Sequence, residues 1–195
     1  MNFPRIAIVA ALLGLASTGA LAQSPTAGQL LYASPAMNDA NFSETVFLVL
    51  LSNEQGSRAV ALNRPTWVKP AEAFPDIREL AGSTSMLFFG GPVSPNLLLI
   101  LFDAGDTVPA ESQRLFGNVY FTTDPAAIAA AEAGGSPRLR LFAGHAAWAP
   151  GQLEAEIAAG NWRLVPASAD RVFAEDPAAL WNGIPSVGGG VSARR

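Results

Sequence analysis

Apolar residues along this chain fall into short continuous blocks bounded by turn residues. Val46-Phe-Leu-Val-Leu-Leu51 is an unbroken run of strand formers, the pattern of a strand buried on both faces. Asn53-Glu54-Gln55-Gly56 is a turn signal, and Ala59 to Leu62 reads as the returning strand of a hairpin. Met86 to Phe89 and Leu97 to Phe102 are two further buried runs, separated by Gly90-Gly91-Pro92. Val119 to Thr122 is another. Arg138 to Phe142 alternates polar and apolar, as a half-exposed strand does. Leu164-Val165 ends a last short strand after Trp162.

Three segments carry helix signals. Asp124-Pro125 offers an N-cap followed by proline at the first helical position, opening an alanine-rich helix to about Glu132. Pro150 opens a second through Ala159, closed by Gly160, with Leu153 and Ile157 four apart on its inner face. Asp176-Pro177 starts a third, Ala178 to Trp181. Residues 23–28 read as a polar lead-in. No internal repeat or second domain boundary is visible, so the pattern predicts a single compact α+β domain over residues 23–185. The glycine-rich tail 186–195 is expected to be disordered.

Composition narrows the functional classes. The chain has 195 residues, half of them hydrophobic, and a net charge of −4 without any basic cluster. The electrostatic footprint of a nucleic-acid binder is missing, so no nucleic-acid partner is expected. Cysteine is absent, which excludes disulfides, thiolate metal sites and a cysteine nucleophile. Residues 1–22 have the form of a secretory signal peptide. Arg5 lies ahead of an apolar stretch from Ile6 to Ala16, and Ala20-Leu21-Ala22 forms a small-x-small cleavage site before Gln23. The apolar run is too short for a membrane anchor. The expected location is periplasmic or secreted, with no stable membrane insertion after cleavage.

Candidate chemistry is sparse. His145 is the only histidine. No Gly-x-Ser-x-Gly motif accompanies it, and a zinc site would recruit more ligands. It therefore reads first as a loop histidine hydrogen-bonded at a strand end. A hydrolase would have to pair it with a hydroxyl such as Ser52. Trp148 to Gln152 lead into a helix whose first turn holds Gln152 and Glu154, an arrangement that caps a helix as readily as it binds an anion. Gly90-Gly91-Pro92 follows a strand, as phosphate loops do, but it matches no nucleotide motif and precedes another strand. Asp103-Ala-Gly-Asp106 lacks the remainder of a calcium loop. Glu154 and Glu156 do not face each other on a helix. Asn63-Arg64, ahead of Pro65, would bind a carboxylate or phosphate, or cap a turn. No catalytic residues, metal site or cofactor are assigned.

In order along the chain, several stretches resemble the YqgE/AlgH family. They are GQLLYASPAMNDANFSETVFLVL (28–50), ALNRPT (61–66), FFGGPV (88–93), WAPGQLEAEI (148–157), NWRLVPA (161–167) and FAEDPAALW (173–181). The resemblance implies an α+β fold with a mixed, pseudo-barrel-like sheet and a few short helices. It implies no established activity, although some members have been proposed as transcriptional regulators. The sequence departs from the family pattern where a histidine is usual (Ser52), a glycine (Ala59, Ala147, Ala149), an arginine (Leu97), a second histidine (Phe102) and an aromatic residue (His145). Family members are typically cytoplasmic, whereas this chain carries an export segment, and export would separate it from the chromosome. The leading expectation is a non-enzymatic periplasmic binding or accessory protein. It would hold an unidentified protein or small molecule of the envelope near Asn63, Arg64, Gly90, Gly91, Pro92, Trp148, Gln152 and Glu154. A hydrolase using His145 and a cytoplasmic regulator are the alternatives.

Overall fold

The computed structural model describes residues 24–39, 41–104, 108–133 and 138–183. The expected signal segment, the tail and Asp106 lie outside them. The strands are β1 (Gln29–Ala33), β2 (Val46–Asn53), β3 (Gly56–Ala61), β4 (Leu87–Phe89), β5 (Val93–Asp103), β6 (Gln113–Phe116), β7 (Val119–Thr122), β8 (Leu139–Trp148) and β9 (Trp162–Pro166). They form one curled sheet in the order β6-β7-β5-β8-β3-β2-β1-β9, a half-barrel. All neighbours on this path are antiparallel. β4 pairs with β8 in parallel beside β3, which makes the sheet mixed. The helices are short: α1 (Pro70–Ala73), α2 (Ala126–Ala133), α3 (Gln152–Ala158) and α4 (Ala169–Val172), with 3₁₀ turns at Arg78–Leu80 and Ala178–Gly183. Among the described residues no helix is long and apolar enough to cross a membrane.

The sheet buries both faces, and this explains the continuous apolar runs. Along β2, Val46, Leu48 and Leu50 point to the concave side with Leu99, Leu101, Phe121 and Phe142. Phe47 and Val49 point outward, where Leu153 of α3 packs with Trp148 and Trp162. At the other end of the outer face, α2 lays Ala127, Ile128 and Ala131 over Leu98, Ile100 and Phe102 of β5. Strands sandwiched in this way have no solvent side and so no polar alternation.

The expected elements are largely present. Asp124 accepts from the Ala126 amide at 3.0 Å as α2 begins. The α3 helix starts two residues later than expected. It ends as a Schellman motif, with the Gly160 amide bonded to Ile157 and the Asn161 amide to Glu156. The third expected helix is 3₁₀ rather than α. The penultimate strand β1 and the edge strand β6 carried no expectation.

Two corrections concern β8. It runs ten residues, to Trp148, so His145 lies inside a strand and not in a loop. Arg140 is not half-exposed but 6% exposed. Its guanidinium donates to the carbonyls of Leu62 and Ala174 and sits 4.7 Å from the centroid of the Phe88 ring. Burial lowers its pKa to about 10, so the charge persists at neutral pH. The alternation of residues 138–142 is real, but here the polar side faces a covered concavity.

Candidate functional site

The residues singled out from sequence split into two structural groups. In the first, Asn63 bridges backbone: its Oδ1 accepts from the Val46 amide at 2.9 Å and its Nδ2 donates to Glu44 O at 2.7 Å. Arg64 donates to Ser43 O and to Thr45 Oγ1 at 2.6 and 2.8 Å. Together they fasten the loop before β2, which presents Phe42 to the rings of Phe47, Trp148 and Trp162. The second group is built around the same rings. Gln152 accepts from the Ala149 amide in the turn ahead of α3, and it donates to Glu156. Glu156 Oε2 accepts from both indole N–H groups, Trp148 at 3.0 Å and Trp162 at 2.7 Å. Glu156 is the hub that sequence reasoning missed, because its two tryptophans arrive from β8 and β9 on either side of the helix. Glu154 lies one turn face away, partly exposed.

Gly90 and Gly91 serve close packing. A Cβ on Gly90 would stand 2.1 Å from Gly144 O, and one on Gly91 would stand 2.3 Å from the His145 carbonyl carbon. No side chain fits there. Pro92 follows as β5 begins beside β8.

These contacts shape a different place. Gly144, with φ +69°, interrupts the alternation of β8. Phe142 faces the concave side and Ala146 the outer side, so His145 turns to the concave side as well. Opposite it, β5 bulges: five residue steps from Val93 to Leu98 span only two on β8. The gap left by this bulge is a cavity of about 190 Å³ lined by Leu50, Leu51, Arg58, Leu97, Leu99, Gln113, Phe121, Thr123 and His145. His145 is only 6% exposed, and its Nδ1 is fully buried without a hydrogen-bond partner. Burial, followed by the nearby Arg58 guanidinium, holds its pKa below the ordinary 6.5. At neutral pH it is an uncharged imidazole. Unpaired buried polar atoms are rare in folded proteins, and each calls for a physical explanation.

Ser52 does not meet His145. Its hydroxyl pairs with Ser57 Oγ at 2.7 Å, and Ser57 faces the same side as its cross-strand partner Trp148. Arg58 and His145 face the opposite side. Among the described residues no group of three or more His, Asp or Glu side chains is arranged to hold a metal ion. A larger groove of about 590 Å³ runs between Thr66–Ala71 and Gly82–Leu87, and there Trp67 is wholly exposed.

A family model described as AlgH-like matches residues 30–190. The chain belongs to the AlgH-like family. A UPF0301 protein of Streptomyces coelicolor is 37% identical over 165 residues, covering 81% of this chain and 84% of the relative. A UPF0301 protein of Myxococcus xanthus is 33% identical, covering 78% and 85%. Among solved structures, the AlgH protein of Pseudomonas aeruginosa superposes with a TM-score of 0.64 at 28% identity, covering 84% of this chain and 93% of that one. A protein from Corynebacterium diphtheriae gives a TM-score of 0.68 at 27% identity, covering 82% and 85%.

Of the positions where the resemblance implied a departure from the family pattern, Leu97 and His145 both line the cavity at the β5 bulge. Ser52 lies on the other face, and Phe102 is packed under α2.

Proposed function

We propose that this AlgH-like protein is an exported binding protein of the cell envelope that holds a small ligand in the cavity at the β5 bulge. The observation that carries this reading is His145, a side chain more than nine-tenths buried whose Nδ1 has no partner, lining a cavity with apolar walls. Such a mix of apolar lining and few polar groups is the usual make-up of a ligand pocket. Asn63, Arg64, Gly90, Gly91, Pro92, Trp148 and Gln152 take part by holding the surrounding strands, loop and helix in place. Export rests on the form of residues 1–22.

The test is the intact mass, under native and denaturing conditions, of the protein recovered from fractionated cells. A periplasmic species beginning at Gln23 is expected, with a small-molecule adduct present in the native spectrum and less occupied in a His145→Phe variant. A full-length cytoplasmic species without an adduct overturns the proposal.

A further inference from the structure

The lining of the cavity specifies a ligand class, and this step rests on the reading of the cavity as a binding site. Arg58 stands on β3 opposite Leu51, exposed at the mouth, with no ion pair or hydrogen bond of its own among the described residues. No aspartate or glutamate lines the cavity. The charged and titratable groups facing the space are thus Arg58 from β3 and His145 from β8. β2, β5 and β7 contribute Leu50, Leu97, Leu99 and Phe121, with Gln113 and Thr123 at the rim. A guanidinium at the entrance is matched to a carboxylate, which it holds through two parallel hydrogen bonds. The walls behind it require an apolar remainder. At about 30 Å³ per water, 190 Å³ holds the equivalent of about six waters, the size of a short acyl chain.

We propose that this cavity binds a small organic monocarboxylate, its carboxylate held by Arg58 and His145 and its short apolar chain lying among Leu50, Leu97, Leu99 and Phe121. His145 contributes as a hydrogen-bond donor while neutral, and more strongly once protonated. Binding the anion therefore favours proton uptake by the imidazole.

Other candidates are weaker. The buried Arg140 already spends its hydrogen bonds on Leu62 and Ala174. Nothing on the groove beside Trp67 indicates what covers it.

The experiment is calorimetric titration of the purified full protein with hexanoate, hexanol, hexylamine and acetate. Hexanoate is expected to bind, acetate more weakly for want of a chain, and hexylamine not at all. Arg58→Gln, a change at an exposed position, is expected to weaken hexanoate about tenfold or more while leaving hexanol unaffected. Hexanoate affinity should rise from neutral to mildly acidic pH, and His145→Phe should remove that dependence. Circular dichroism and melting of both variants separate lost binding from lost folding. Hexanol or hexylamine binding with an affinity equal to that of hexanoate overturns the carboxylate assignment while leaving the cavity a binding site. Binding of none of the four overturns both.

Discussion

At the scale of single residues, the chain uses its few polar side chains as fasteners. Glu156 is the clearest case, since one carboxylate oxygen satisfies two indole N–H groups in a cluster of four aromatic rings. Glu156→Ala leaves both donors without their acceptor. It should lower stability by about 2–4 kcal/mol in chemical denaturation, because hydrogen bonds to charged groups are worth roughly 1.5–3 kcal/mol each. A change below 0.5 kcal/mol would mean that water replaces the carboxylate. Gly91 fastens by absence of a side chain. Gly91→Ala forces a Cβ to 2.3 Å from the backbone of His145, and its soluble yield should collapse or its stability fall by several kcal/mol, about 3 or more. That this glycine pair separates two buried strands was legible from sequence. Its packing against β8 was not, because the strand it touches lies more than fifty residues away. The partners of Glu156 were hidden for the same reason. Helical spacing correctly separates it from Glu154, but it says nothing about side chains brought in by β8 and β9.

At the scale of elements, legibility follows burial. The strands β2 and β7 and the C-terminal half of β5, Leu98–Phe102, bury both faces or nearly so, and their apolar runs announce them. β6 is largely exposed, and α1 and α4 are four residues each, too short for a periodic signal. β8 misled for a physical reason. Its alternation identifies the two faces but not which is wet, and the curl of the sheet puts Arg140 under Phe88 and Ala174. Gly144 then shifts the alternation, which sends His145 inward. The two tryptophans Trp67 and Trp148 should behave oppositely at this scale. Trp148 is 5% exposed between α3 and the sheet, and Trp148→Ala should cost about 3–5 kcal/mol. Trp67 is fully solvent-exposed, so Trp67→Ala should stay within about 0.5 kcal/mol of the parent. Parallel denaturant melts decide it, and a large loss for Trp67→Ala would show that this ring packs in solution.

At the scale of the whole molecule, the half-barrel is a frame whose two covered outer patches and packed concave core border a mostly apolar hole at the β5 bulge. The α+β class and the mixed, barrel-like sheet were legible, the first from the pattern of runs and the second through the family resemblance. The hole was not legible, because it depends on a bulge in β5 meeting a glycine kink in β8. It also imposes a pH dependence on folding. His145 has a lower pKa folded than its ordinary 6.5, so below 6.5 the unfolded chain binds more protons than the folded one. Stability is then full above that pH and declines as pH falls towards the folded pKa. His145→Gln should flatten this decline, as thermal melts across mildly acidic pH will report.

Because the chain contains one histidine, its imidazole resonances in an NMR pH titration belong to His145 alone. Recording that titration with and without hexanoate tests the ligand cavity most directly. The expected result is a midpoint below 6.5 in the free protein that moves upward when hexanoate binds. A midpoint at the ordinary value that ignores hexanoate would contradict both the buried, unpaired imidazole and the site built around it.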